Sequence, residues 1–338
     1  MIKPINKEQY HKFWKSYIGS SNQSWAWGDF KSNFGWEVER LGIFDNNELI
    51  SVISIFKRTF PFSLLTSLFG FNKFAYIPRG FAVKDVRFFD LVLKSLDKYY
   101  RNKKEAFILI DPENNLLVNN WNEEFKKALE SAGFKNSGVT IQANQTDVIE
   151  IDKDEDELMD QIRPKWRRNI KKSERHGVKI KEESGDSAVD KFYSVILKVQ
   201  KNTDFKAHSK EYYKKMWEIL KKDELIKIFT ANYRGKIIAT YLVLSNSVTG
   251  YEIYGGATSK GRDLEASYLL KWEIIKRLAD SGKQFYDQWG VSPKGEKDHP
   301  LRGITYFKSG FGGSYVQFLP QYVKVYNKIG YFLYKFKT

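Results

Sequence analysis

The feature that most narrows what this chain can fold into is an order of elements that occurs twice. Residues 38–44 and 48–57 alternate or run apolar on either side of Asp45-Asn46-Asn47, a hairpin signal. Helical spacing follows over 88–102 through Phe89, Leu91, Val92, Leu96 and Tyr99. A buried-type strand, 106–110, ends at Asp111-Pro112. A helix over 120–132 is closed by Gly133, and 146–151 reads as another strand. A second cycle begins with helices at 154–161, 164–176, 188–199 and 210–220. Strands 226–233 and 237–245 turn at Arg234-Gly235, and 250–257 is a further strand. A long amphipathic helix is expected over 264–281, then a strand over 284–289. Helix, hairpin, strand, helix and strand thus recur, which predicts two α/β units without a detectable sequence repeat. The 338 residues are enough for both. No Pro/Gly/Ser-rich spacer separates the halves, so close packing with a cleft between them is expected. The acidic run 152–160 is the best linker. The aromatic and basic tail, 315–337, is expected to pack back on the first unit rather than bind an anionic surface.

One helix has both ends marked. In Pro164-Lys165-Trp166-Arg167-Arg168-Asn169-Ile170-Lys171-Lys172-Ser173-Glu174-Arg175-His176-Gly177, proline suits the first turn and glycine the left-handed closure. Trp166, Ile170 and Ser173 share one face of the wheel. Arg168, Lys171, Lys172 and Arg175 crowd the other, with Glu174 the one acid among them. The row suits a polyphosphate partner, above all nucleic acid, and its plainer reading is a solvated face of a lysine-rich protein.

Composition excludes several chemistries. With no cysteine there is no thiol catalysis, disulfide or cysteine-ligated metal site. The four histidines, His11, His176, His208 and His299, show no metal-ligand spacing, and no Ser/His/Asp set stands out. The net charge of +15 favours anionic partners. The first residues lack the apolar core of a signal peptide, and the apolar stretch 60–71 is interrupted by Pro61, Ser63, Thr66, Ser67 and Gly70. That stretch reads as a buried hairpin or packed loop rather than a membrane contact. A cytoplasmic protein is expected.

Seven segments carry a family resemblance. They are Trp25-Ala26-Trp27-Gly28-Asp29-Phe30-Lys31, Tyr76-Ile77-Pro78-Arg79-Gly80, Ile110-Asp111-Pro112-Glu113, 164–177, 251–258, 285–291 and 304–313. In this order they resemble the Fem (FemABX) family of non-ribosomal peptidoglycan bridge-forming aminoacyltransferases, as a short member without the coiled-coil arm. The resemblance implies two tandem acetyltransferase-like (GNAT-like) domains, 1–146 plus 316–338 for the precursor and 147–315 for the aminoacyl-tRNA and catalytic lysine. It implies a monomeric bacterial enzyme of cell-wall synthesis that needs no cofactor. The donor would be aminoacyl-tRNA. The acceptor would be a side-chain amine in the stem peptide of UDP-MurNAc-pentapeptide or lipid II, the latter bringing peripheral contact with the inner membrane face.

The same resemblance implies site residues. Lys308 matches a lysine at the reacting carbonyl, and Phe307 the residue whose main chain flanks it. Asp111 matches an aspartate acting as base or amine-orienting group. Lys31 and Trp36 match residues holding the phosphate and sugar of the precursor. Lys206, His208 and Tyr212 stand where the family has threonine, arginine and tyrosine, so the histidine here would grip phosphate less firmly near neutral pH. Tyr254 matches a cleft tyrosine. From the residues alone each has a plainer reading. Lys308 also suits a helix C-terminus, Asp111 a turn before proline, and Trp36 and Tyr254 core packing. Two other functions stay open: an acyl-CoA-dependent GNAT-type N-acyltransferase, with Ser259-Lys260-Gly261-Arg262 a weak pyrophosphate turn, and a non-catalytic RNA-binding protein.

Overall fold

A computed structural model describes residues 1–60, 70–113, 115–138, 141–201, 206–296 and 298–335. Most of the apolar stretch 60–71 and the last residues of the tail lie outside them. The chain divides into two units, Met1–Asn144 with Phe318–Thr338, and Gln145–Gln317.

The first unit is built on β1 (Ile2–Pro4), β2 (Glu37–Asp45), β3 (Glu48–Thr59), β4 (Lys73–Ile77), β5 (Ala82–Val83), β6 (Glu105–Ile110) and β7 (Lys135–Asn136). Neighbours from β1 to β4 are antiparallel, and β4 then lies parallel to β6. The tail supplies the next strand, Tyr322–Val325, antiparallel to β6 and to β7. A wholly buried strand such as β6 needs partners on both edges to satisfy its backbone. The returning tail provides one, as the sequence led us to expect. The tail helix Lys328–Lys335 then turns Tyr331 and Tyr334 onto Phe107, at 5.2 and 5.0 Å between ring centres. The helices Phe89–Tyr100 and Trp121–Ser131 bury Leu93, Leu96, Phe125 and Leu129 against this sheet.

The second unit comprises β8 (Gln145–Glu150), β9 (Lys179–Glu183), β10 (Ile226–Tyr233), β11 (Lys236–Ser245), β12 (Thr249–Ala257), β13 (Phe285–Gly290) and β14 (Ser314–Gln317). Its order is β14-β8-β13-β12-β11-β10-β9. Neighbours from β9 to β12 are antiparallel, β12 and β13 are parallel, and β8 and β14 complete the sheet antiparallel. The sequence of pairings is the same in both units, so the doubled pattern in the chain is a doubled topology. The helix expected over 264–281 is present as Ala266–Asp280, preceded by a short helix, Ser259–Asp263, that the sequence reading did not mark. Glu265 separates the two with φ of 55°, and its carboxylate pairs with Lys172.

A polar knot ties β2 to β3 in the first unit. The hydroxyls of Tyr99 and Tyr100 each donate to Glu39 at 2.6 Å, and Lys57 Nζ lies 2.9 Å away. Burial works against this carboxylate, but the hydrogen bonds from the two tyrosines and Lys57 outweigh it and hold its pKa at about 2. A depressed carboxylate stabilises the fold above its unfolded pKa and loses that contribution as pH falls through the folded value. Glu39→Gln should therefore cost on the order of 3 kcal/mol at neutral pH. The difference from the wild type should shrink from about pH 4.5 and vanish near pH 2. Urea unfolding at several pH values measures it, and a pH-independent difference would contradict the assignment.

Candidate active site

Lys308 ends the helix Arg302–Lys308 with its ammonium turned into the second unit, 8 % exposed. Nζ donates to the Gly290 carbonyl at 2.8 Å and the Trp289 carbonyl at 3.3 Å. Those carbonyls are available because the end of β13 leaves its register with β8 between Asp287 and Gly290. Trp289 there takes a left-handed φ of 63°, which costs an L-residue about 1 kcal/mol. The turn is closed by the Trp289 N–H, which donates to Asp287 Oδ1 at 2.7 Å, and by the Thr146 hydroxyl, which donates to the same oxygen. Burial lowers the pKa of Lys308 to about 8. The carboxylates of Glu252, Asp287 and Asp147 oppose that shift, and the charge on Lys271 adds to it.

Beneath Lys308 lies a network that the sequence reading missed. Lys271 is fully buried and pairs with Glu252 at 2.9 Å. It also donates to Gln288 Oε1 at 2.9 Å. Gln288 Nε2 donates in turn to Asp147 and, at 3.1 Å, to the main-chain carbonyl of Lys308. Tyr286 donates its hydroxyl to Glu252. Burial lowers the pKa of Lys271 and raises that of Asp147. One signal could have found this. Lys271 shares a helix face with Ile274, Ile275 and Leu278, all buried, and a lysine inside an apolar stripe needs a buried partner.

The basic helix, Pro164–Arg175, is anchored on the lysine-bearing segment. Trp166, Ile170 and Ser173 are its buried residues, and Gly177 closes it with φ of 80°. The Trp166 indole N–H donates to the Phe307 carbonyl at 2.9 Å, and the Arg163 N–H to the Gly310 carbonyl at 2.9 Å. Phe307 turns its ring onto Tyr268 and Phe311. Arg168, Lys171 and Arg175 are exposed and, with Glu174, line an open hollow of about 400 Å³. Lys172 corrects the expected four-cation row, because it is half-buried and tied to Glu265 at 3.3 Å. Glycine is required at 310: a Cβ there would meet the Trp166 ring at 2.3 Å. Gly310→Ala should destabilise the second unit by roughly 1–3 kcal/mol and enhance Trp166 solvent quenching. Unchanged stability and fluorescence would contradict this packing.

The other expected residues fall into two groups. In the second unit, the His208 ring stacks on Tyr212 at 4.0 Å and meets Tyr254 edge-on at 5.9 Å, with Tyr213 between Tyr212 and Tyr254. Lys206 is exposed nearby in sequence. Burial raises the pKa of Tyr254 well above the ordinary phenol value. In the first unit, the half-buried Lys31 has its pKa lowered to about 8 by burial and by Arg58. The Arg58 guanidinium lies over the Trp36 ring at 5.1 Å, and Trp36 faces Tyr76 at 6.2 Å. Tyr76 donates to Asp111 Oδ2, and Gln321 to Oδ1 at 2.9 Å. Each Asp111 oxygen thus already accepts a hydrogen bond, at a residue 5 % exposed. Here Asp111 anchors Tyr76 and the returning tail, and burial raises its pKa above the usual carboxylate value. Arg58 and Tyr76 are the links sequence reasoning did not supply.

In the segment 259–262 two of the N–H groups that a pyrophosphate turn would offer are already engaged. Gly261 N–H donates to the Thr258 hydroxyl and Arg262 N–H to the Thr258 carbonyl. Glycine is needed at 261 for packing, since a Cβ would sit 2.2 Å from the Ile238 carbonyl oxygen.

Paired α/β units of one topology define a tandem fold that solved structures share. A tandem GNAT protein from clavulanic acid biosynthesis has this fold, with TM-score 0.53 at 8 % identity over 97 % of this chain and 98 % of that one. The crystal structure of FemX matches with TM-score 0.87 at 17 % identity, over 98 % of this chain and 99 % of that one. The FemAB family model matches residues 5–237 and 221–337, and the chain belongs to that family. Among its relatives is the aminoacyltransferase FemA of Staphylococcus aureus, 24 % identical over 89 % of each chain. Another is the lipid II:glycine glycyltransferase of Staphylococcus epidermidis, 20 % identical over 91 % of this chain and 88 % of that one. The protein is a transferase of this family. No helix among the described residues is long and apolar enough to cross a membrane.

Proposed function

We propose that the protein transfers an aminoacyl group from aminoacyl-tRNA to the side-chain amine of the stem peptide in a peptidoglycan precursor. The observation that carries this reading is the buried Lys308 ammonium, held by two main-chain carbonyls. The acceptor amine attacks the ester carbonyl, and negative charge develops on its oxygen. A desolvated ammonium stabilises that oxyanion more than it stabilises the neutral ester. The ribose hydroxyl leaves with a proton. The ester is already activated, so the reaction needs no covalent enzyme intermediate and no cofactor.

Binding roles follow from charge and aromatic surface. Lys31 and Arg58 beside Trp36 suit the phosphate and sugar of the precursor. In the second unit the His208, Tyr212 and Tyr254 cluster offers ring faces, and Lys206 a cation nearby in sequence, suited to a sugar or phosphate. Arg168, Lys171 and Arg175 suit the tRNA backbone, with Lys172 a lesser contributor. A lipid-linked acceptor would bring the protein to the membrane surface, and a soluble one would not. The relative named as acting on lipid II favours the first.

Lys308→Met keeps most of the stem and removes the cation. Single-turnover transfer should fall about a hundredfold, equivalent to on the order of 3 kcal/mol, with both substrates still bound. Arginine should rescue poorly, since its planar fork differs from a compact ammonium. Full activity would return Lys308 to an ordinary helix-end residue. Separately, reversing Arg168, Lys171 and Arg175 to glutamate should weaken tRNA binding and flatten its salt dependence, while precursor binding changes little. Unchanged tRNA affinity would make this helix a solvated face.

A further inference from the structure

Resting on the reading of Lys308 as the catalytic cation, we propose that Asp287 is its positioning residue, folding the end of β13 into the carbonyl cage that holds the ammonium. The argument starts from the backbone. A strand continuing in register past Asp287 would direct its successive carbonyls alternately to the two sheet neighbours. Here the register with β8 slips, with Asp287 opposite Val148 and Gly290 opposite Thr146. The slip and the left-handed Trp289 together bring the carbonyls of Trp289 and Gly290 within 3.3 and 2.8 Å of one Nζ. A left-handed tryptophan persists only when its surroundings enforce it. The enforcing contact is the Asp287 side chain, which accepts from the Trp289 N–H two residues on. Thr146, on the neighbouring strand, braces the same oxygen and also lies 3.1 Å from the Trp289 carbonyl. Asp287 is 4 % exposed, so this is an interior device and not a surface turn.

Asp287 differs from the other charged groups around Lys308. Four bear on its ammonium: Glu252 from β12, Lys271 from the helix Ala266–Asp280, Asp147 from β8 and Asp287 from β13. Glu252 is committed to Lys271 and Tyr286. Asp147 is bonded to Gln288. Asp287 alone both shapes the cage and adds a negative charge to it. It therefore acts in two separable ways. Its oxygen sets where Nζ sits, and its charge keeps Nζ protonated to higher pH than burial alone would allow.

Two substitutions separate these effects. Asp287→Asn keeps an accepting oxygen for Trp289 but removes the charge. The acceptor must be a free amine and Lys308 an ammonium, so transfer is expected to rise and then fall with pH. An ordinary acceptor amine titrates at about 10, so the rising limb levels off at the lower pKa, that of Lys308, which stands at about 8. Loss of the Asp287 charge lowers that pKa, so the rising limb of Asp287→Asn should level off at a pH lower by roughly one unit. Asp287→Ala removes the accepting oxygen, and its single-turnover rate should fall tenfold or more at every pH with substrate affinities kept. Thr146→Val removes only the brace. It should cost a few-fold in rate and leave the limb in place, which keeps the test open should Asp287→Ala fold poorly.

Single-turnover transfer from aminoacyl-tRNA across pH 6–10, with separate binding of each substrate, reads all three. An unmoved limb in Asp287→Asn overturns the proposal, and so does a wild-type rate in both Asp287→Ala and Thr146→Val. A residue that merely stabilised the fold would change the melting temperature and not the limb. Lys308→Met run alongside distinguishes the failures. If it is inactive while the Asp287 limb stays put, only this inference falls. If it is fully active, the catalytic lysine falls too.

Discussion

A buried ammonium must be paired or caged, and the second unit contains two within one network. Lys271 has a full carboxylate partner in Glu252, and Gln288 satisfies a further N–H. That pair is internally neutral, and its hydrogen bonds offset part of the cost of burying both charges. Among the described residues the hydrogen-bond partners of the Lys308 ammonium are main-chain carbonyls, so its charge is stabilised by dipoles and more distant carboxylates. An ammonium held this way remains responsive to new negative charge. The contrast explains why one lysine reads as structure and the other as chemistry, although both are buried.

The rest of the unit follows from keeping Lys308 in place. Gln288 ties its main chain to Asp147 and Lys271. Trp166 holds the carbonyl of Phe307 one residue earlier, and Gly310 is kept small so that the indole fits. The basic helix is therefore bolted to the lysine-bearing segment through its one tryptophan. The surface proposed for tRNA and the lysine proposed to act on the ester are in this way joined by a short path. The first unit repeats the same sheet but uses the equivalent buried strand end differently. There Asp111 gathers Tyr76 and Gln321, and through Gln321 it secures the returning tail.

Much of the fold was legible because periodicity and turn residues report local structure. The helix Pro164–Arg175 was marked by its proline, its glycine and its stripe, and those marks describe burial as it stands. The doubled order of elements appeared from alternation and hairpin signals alone. Less was legible where the cause is tertiary. Strand β4 passes from an apolar stretch directly into Pro78, leaving no start signal. The short helix Ser259–Asp263 is too brief for a periodic signal. Lys172 carries the same charge as its neighbours, and only its proximity to Glu265 removes it from the exposed row. Among site residues, Lys308 and Phe307 came from the resemblance. Asp287, Gln288 and Glu252 lie in segments that carry the resemblance but drew no role from it, and Lys271 lies in none, because their roles are fixed by contacts between distant parts of the chain. Polar residues inside buried strands, such as Asp287 and Gln288 in β13, are the trace such networks leave in a sequence.

The central claim is that the protein moves an amino acid from tRNA to a peptidoglycan stem peptide. The direct measurement is incubation of the intact protein with a panel of charged tRNAs and with soluble and lipid-linked precursors, read by mass spectrometry. The account predicts that precursor mass rises by whole amino-acid residues, at the stem-peptide side-chain amine, and only with a charged tRNA. Transfer from acyl-CoA in place of aminoacyl-tRNA, or no mass gain with any charged tRNA and either precursor, would contradict it.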